Sequence, residues 1–167
     1  QTYSQRLSGF KRISIREKNL EKLIKELSGT EVYTVLDPTM LIQEQHWTNY
    51  EKKPMWFSGQ KYVLKYFLGE EESRELMEFA KLRNLAVIDL MDNKSQSYVC
   101  GPSEFLYLIH NAEFVVTDSF HGTVFSIIFK KKFALLRREE DSLINMASRF
   151  STLFNFLGIA FENITFE

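Results

Sequence analysis

FVVTDSFHGTVFSIIFKKKF, residues 114–133, sets two apolar runs on either side of a polar knot, Thr117-Asp118-Ser119-Phe120-His121-Gly122. Phe114 to Val116 has the short, continuously apolar character of a strand buried on both faces. A helix is expected to start at Ser119 or its neighbour and to run to about Lys130, because Asp118 and Ser119 are both residues that cap helix N-termini. GTVFSIIF is apolar nearly all round, so that helix should be buried. Phe133 to Leu136 then returns as a strand. The knot is therefore the turn of a strand–helix–strand unit, and its polar groups are aimed out of the end of a strand.

The same alternation extends to both sides. Phe10 to Ile15 alternates in strand fashion, and in the charged segment that follows Leu20, Leu23, Ile24 and Leu27 recur at helical spacing before Gly29, a suitable C-terminal stop. Val32 to Leu36 reads as a second strand closed by Asp37-Pro38-Thr39, where proline ends regular pairing and Asp favours a turn. Leu41 to Gln60 reads as a short helix with a long connection. Lys61 to Leu68 is strand-like. Residues 70–84, EEESRELMEFAKLRN, form an amphipathic helix with Leu76, Phe79 and Ala80 inward, and Leu85 to Leu90 is another short buried strand. Gly101-Pro102-Ser103-Glu104 opens a helix with an early proline and an early acid, packing Phe105, Leu106, Ile109 and Ala112. Met146, Phe150, Leu153, Phe154 and Leu157 give a last helix stopped by Gly158. Strands alternating with helices predict an α/β fold with a Rossmann-like, open, mostly parallel sheet covered by helices on both faces.

A chain of 167 residues, 44% hydrophobic with 15 Phe, is long and apolar enough to bury a sizeable core, and one domain spanning 1–167 is expected. With 21 Lys and Arg against 22 Asp and Glu, the net charge of -1 supplies no field for nucleic acid or an anionic membrane surface. Any anion site must be local. The one cysteine, Cys100, cannot form an internal disulfide and suits a reducing compartment. No segment has the length of a membrane span, so the expected location is cytoplasmic, the inner face of the membrane included.

In open α/β sheets ligands bind outside the carboxyl ends of the strands, where loops lead into helix N-termini. Two loops there carry residues suited to an anion. In Thr117 to Gly122, the backbone N–H groups of the first helical turn point toward the strand end, and Gly122 permits close approach. His121 can transfer a proton near neutrality or bind a phosphate as a cation. On spacing alone an equally good account is that Asp118 and Ser119 only cap the helix while His121 is a hydrogen-bonded, half-buried residue. After the first strand, Arg16 can clamp a carboxylate or phosphate, or simply pair with Glu17.

The remaining candidates are weaker. Asp37 is expected to form its turn. Trp47, Tyr50 and Trp56 fit either a sugar-stacking face or core packing. His46 and His110 have no partner at metal-ligand spacing, and no zinc or other metal site is expected. Asn163-Ile164-Thr165 matches a glycosylation sequon and reads as chance.

NAEFVVTDSFHGTVFSIIFKKKF, preceded by GPSEFLYLI, resembles the signature block of the polysaccharide pyruvyl transferase family. ISIREKNLEKLI, VLDPTMLIQEQHW and SRFSTLFNFLGI agree in order, so the similarity spans nearly the whole chain. The resemblance implies pyruvyl transfer from phosphoenolpyruvate, as donor substrate, to two hydroxyls of a sugar or lipid-linked oligosaccharide acceptor, leaving a ketal on a surface polysaccharide precursor. No cofactor is implied. Members resemble glycosyltransferases built from two Rossmann domains. This chain matches the C-terminal, donor-binding half, so a missing N-terminal half is expected as partner and the isolated chain is expected to be inactive. By family pattern His121 matches the essential histidine and Arg16 the arginine that holds the donor. Ser119 and the Gly122 backbone would complete a phosphate cradle, and Asp118 is expected among the substrate-binding residues. A nucleotide-sugar-dependent glycosyltransferase and a non-enzymatic binding domain of the same fold are the alternatives.

Overall fold

Among the described residues six strands, all paired in parallel, carry the fold, and they are shared between two sheets rather than the one that the alternation implied. The computed structural model describes residues 2–69, 74–136 and 143–159. These fall into two compact units, one holding the described residues up to Leu41 together with the last helix, the other running from Ile42 to Leu136.

In the first unit a short helix, α1 (Tyr3–Leu7), precedes β1 (Ile13–Ile15), α2 (Glu21–Ser28) and β2 (Val32–Thr34). β1 and β2 pair in parallel with Ile13 opposite Val32 and Ile15 opposite Thr34. The strand expected from Phe10 begins instead at Ile13. Residues before Val32 are the turn that ends α2, so Phe10 to Arg12 meet no strand, and Phe10 is left 58% exposed. α2 ends where the sequence stops it, with Gly29 in the left-handed region at φ 67°. The last helix, α7 (Leu143–Phe156), buries Phe150, Leu153 and Phe154. The side chain of Met146 and the Asn163 sequon lie outside the described residues.

The second unit begins with α3 (Glu44–Thr48) and a long connection, then runs β3 (Tyr62–Tyr66), α4 (Arg74–Leu82), β4 (Ala86–Asp89), α5 (Pro102–Asn111), β5 (Phe114–Thr117), α6 (Phe120–Ile128) and β6 (Phe133–Leu135). Residues 70–73, read as the start of α4, lie outside the described residues. The strand order is β4-β3-β5-β6. Alternation sorts the side chains between two layers. Tyr62, Leu64, Ile88 and Val115 pack with Leu106, Ile109, Phe125 and Phe129 of α5, α6 and the residue after α6, while Val63 and Val116 pack with Leu76 and Ala80 of α4. With both faces covered, the strands read as the continuous apolar runs of a buried parallel sheet. Trp47 packs edge-on to Phe125 at 5.1 Å and Trp56 to Phe57 at 6.1 Å, so both are core aromatics; Tyr50 stays exposed.

The chain leaves β3 for β4 on one side and then crosses to β5 on the other. The connections that leave the adjacent carboxyl ends of β3 and β5 therefore run in opposite directions, which makes these ends the switch point of this sheet. No helix among the described residues is long and apolar enough to cross a membrane.

Candidate active site

β5 is an inner strand, with Thr117 opposite Tyr66 of β3 and Leu135 of β6, so the polar knot emerges from the middle of the sheet. Thr117 is fully buried; its hydroxyl donates to the Tyr66 carbonyl at 2.7 Å and accepts the Ser119 N–H at 3.0 Å. Ser119, at φ -85° and ψ 134°, is the N-cap of α6, and its Oγ accepts the Gly122 N–H at 3.4 Å. Its carbonyl accepts from both the N–H and the hydroxyl of Thr123, at 3.0 and 3.1 Å. Of the two residues able to cap, Ser119 therefore takes the role.

Asp118 does something else. Its buried carboxylate reaches across the switch point and accepts the N–H groups of Leu68 at 2.8 Å and Gly69 at 3.1 Å. The loop after β3 is thereby tied to the end of β5. Gly122 is also structural in part. A Cβ there would sit 2.4 Å from Thr117 Oγ1 and 3.1 Å from Thr117 Cβ, so the absent side chain is what lets the first turn of α6 lie on β5.

His121 is exposed on that same turn, its ring meeting the buried Phe120 edge-on at 5.6 Å. It opens onto a cleft of about 460 Å³ at the carboxyl edge, bounded by Tyr66 at the end of β3, Met91 after β4, Tyr98, Cys100 and Phe105. The part of the wall that follows β4 is held by local chemistry. Ser95 caps the turn at Gln96–Val99, Ser97 donates to the Asp89 carbonyl, and Glu104 reaches back to the Gly101 N–H at 3.1 Å. Burial, and after it the neighbouring Glu104 charge, push the Cys100 thiol up, keeping it neutral. Sequence reading did not find this wall. The facing of Tyr66 follows from alternation with Tyr62 and Leu64, but nothing in the pattern marks Tyr98.

The other candidate belongs to the first unit. Arg16 follows β1 and Asp37 follows β2, so parallel pairing sets both at one strand end, where the Arg16 guanidinium bonds the Asp37 carboxylate. Asp37 is turn-forming as expected, accepting the Thr39 N–H at 3.0 Å and its hydroxyl at 2.7 Å, and it is also the partner of Arg16. Burial works to raise its pKa, but the Thr39 bonds and Arg16 outweigh that and hold the carboxyl below the usual range. The Arg16 side chain stays 39% exposed. Glu17, offered as its partner by the sequence, turns elsewhere: its buried carboxylate accepts Arg149 Nε at 2.6 Å and the Ser148 hydroxyl at 3.0 Å, anchoring α7. His110 pairs with Glu51 at 2.7 Å and stacks on Phe129. Among the described residues no group of three or more His, Cys, Asp or Glu is arranged to hold a metal ion.

A parallel open sheet with a cleft and an exposed imidazole at its carboxyl edge defines an α/β domain of the Rossmann-like kind, in which ligands bind at that edge as a rule. The family model described as polysaccharide pyruvyl transferase matches residues 2–140 of the 167, and the chain belongs to that family, one of transferases acting in polysaccharide synthesis. No curated protein and no solved structure matches it.

Proposed function

We propose that the chain is the donor-binding half of an enzyme that transfers the pyruvyl group of phosphoenolpyruvate to two hydroxyls of one sugar residue. The observation that carries this is that the family match includes the β5–α6 turn, whose His121 is exposed at the cleft mouth. Protonation of the donor's methylene carbon gives a cation-like centre at the carbon bearing the phosphate. A sugar hydroxyl attacks that carbon and loses its proton, and the C–O bond to phosphate breaks with its electron pair on phosphate. The second hydroxyl then closes the ketal and loses its proton. Of the two hydroxyl protons, one balances that delivered to the methylene carbon and the other leaves with inorganic phosphate.

The groups available suit these steps. His121, exposed on the first turn of α6, offers ring nitrogens that can give and take a proton. Arg16, oriented by Asp37, offers a planar guanidinium to the donor's carboxylate or phosphate. The N-terminal turn of α6, capped by Ser119, adds a positive dipole end. The test is an assay of the chain, alone and joined to its N-terminal half, for phosphate release from phosphoenolpyruvate with a panel of methyl glycosides. Release with formation of an acid-labile ketal is expected only from the joined protein. Turnover of a nucleotide sugar but not of phosphoenolpyruvate would overturn the assignment, and turnover by the chain alone would overturn the need for a second half.

A further inference from the structure

The cleft beside His121 has the wrong chemistry for the donor. Among the described residues that line it there is no Lys, Arg, Asp or Glu; the titratable groups are two phenols, the neutral Cys100 thiol and the imidazole itself. Phosphoenolpyruvate carries a phosphate and a carboxylate on three carbons. Taking such an anion out of water into a cleft with a single imidazole would forfeit hydration without a paired cation to replace it. What the walls do offer is aromatic surface with polar tips. Tyr66 and Phe105 meet edge-on at 5.2 Å, and Tyr98, also in the lining, is 50% exposed.

We propose that this cleft is the subsite for the neutral acceptor, one pyranose ring of the glycan, with Tyr66 and Tyr98 as its specificity-determining residues. The inference rests on the transfer proposed above and places an acceptor contact in this chain. A pyranose has one face rich in C–H groups, which packs on an aromatic ring, and an edge of hydroxyls, which needs polar tips. The volume of about 460 Å³ lies within the range of about 300–1,000 Å³ usual for small-molecule sites. Geometry adds a reason. Ketal closure requires two hydroxyls of one ring to reach the same carbon in succession, so the ring must be fixed in orientation as well as bound. His121 lines the same cleft as Tyr66 and Tyr98, and its imidazole is a group able to take a hydroxyl proton.

The inference is tested by NMR on the isotopically labelled chain, titrated separately with methyl glycosides of galactose, glucose, mannose and N-acetylmannosamine, with phosphoenolpyruvate, and with uridine monophosphate. At least one glycoside should shift the resonances of Tyr66, Tyr98 and His121 saturably, and phosphoenolpyruvate should leave Tyr66 and Tyr98 unmoved. Tyr98→Ala, at a half-exposed position, should weaken that glycoside about tenfold, the scale of one lost aromatic contact, with the melting temperature unchanged. Tyr66→Phe, which removes only a hydroxyl, should alter the preference among the glycosides. Response of the tyrosines to phosphoenolpyruvate, or to none of the glycosides, would sink the acceptor subsite. Response to uridine monophosphate instead would make it a nucleotide pocket. The two levels separate in turnover by the joined protein: phosphate release with an acceptor KM unaffected by Tyr98→Ala removes the subsite and leaves the transfer standing.

Discussion

At the ends of β1 and β2 two charged side chains bond each other, whereas at the ends of β3 and β5 the polar side chains bond the backbone. Arg16 and Asp37 form a pair in which the carboxylate is buried and the arginine side chain remains 39% exposed. Thr117, Asp118 and Ser119 are all buried and spend their hydrogen bonds on Tyr66, Leu68, Gly69 and Gly122, leaving the neighbouring His121 exposed. The first arrangement orients a charge. The second fixes a frame, on which His121 stands exposed. Substitutions should therefore separate function from folding cleanly at the second corner and only partly at the first.

The largest separation is expected at His121. His121→Ala should lower kcat of the joined protein by about 10²- to 10⁴-fold, the range for loss of a positioned acid or base, while a urea titration shows an unchanged midpoint. If the loss falls on the KM for phosphoenolpyruvate alone, the imidazole binds phosphate and does not move the proton. Gly122→Ala should do the reverse. Its new Cβ meets Thr117, a β-branched residue whose hydroxyl is held on two sides, so overpacking should cost about 2–3 kcal/mol. In a Thr117→Ala background the same change should cost less, and equal costs in both backgrounds would refute the contact. Asp118→Asn keeps one carbonyl for the two loop amides and should cost about 1–2 kcal/mol by the same measurement.

This division between frame and function explains what could be read in advance. The order of strands and helices was legible in the second unit because each strand is covered on both faces, and burial of that kind leaves an apolar run in the sequence. It was less legible in the first unit, where Phe10 continues the apolar alternation of β1 yet finds no strand opposite, since pairing depends on where the partner begins. At the site, Ser119 and Asp118 were equally good caps by type. Only the proximity of the Leu68 and Gly69 amides, 50 and 49 residues from Asp118 in sequence, decides between them. Gly122 could be seen as a residue that allows close approach, but the approaching group proved to be Thr117. The cleft wall was hidden for a different reason: Tyr98 and Cys100 sit in an irregular turn whose position follows from Ser97 bonding the Asp89 carbonyl, which no periodicity encodes.

The smallest expected effect lies at the other corner and tests whether Asp37 acts there as a charge. Its folded pKa is lowered by Thr39 and Arg16 in spite of burial, so any stability it adds is fully present above its unfolded value of about 3.9 and is lost as pH falls through the lower folded value. Asp37→Asn removes that titration and keeps a carbonyl for the Thr39 N–H. Because Arg16 is partly solvated, the variant should be less stable than the parent by no more than about 1 kcal/mol at pH 6. Other carboxylates titrate in both proteins and cancel in the difference. The gap between the two urea midpoints should therefore stay constant from pH 6 to about pH 4 and close below it. A gap that persists unchanged to pH 3 would mean that Asp37 is held for its turn alone, and that the orientation of Arg16 comes from elsewhere.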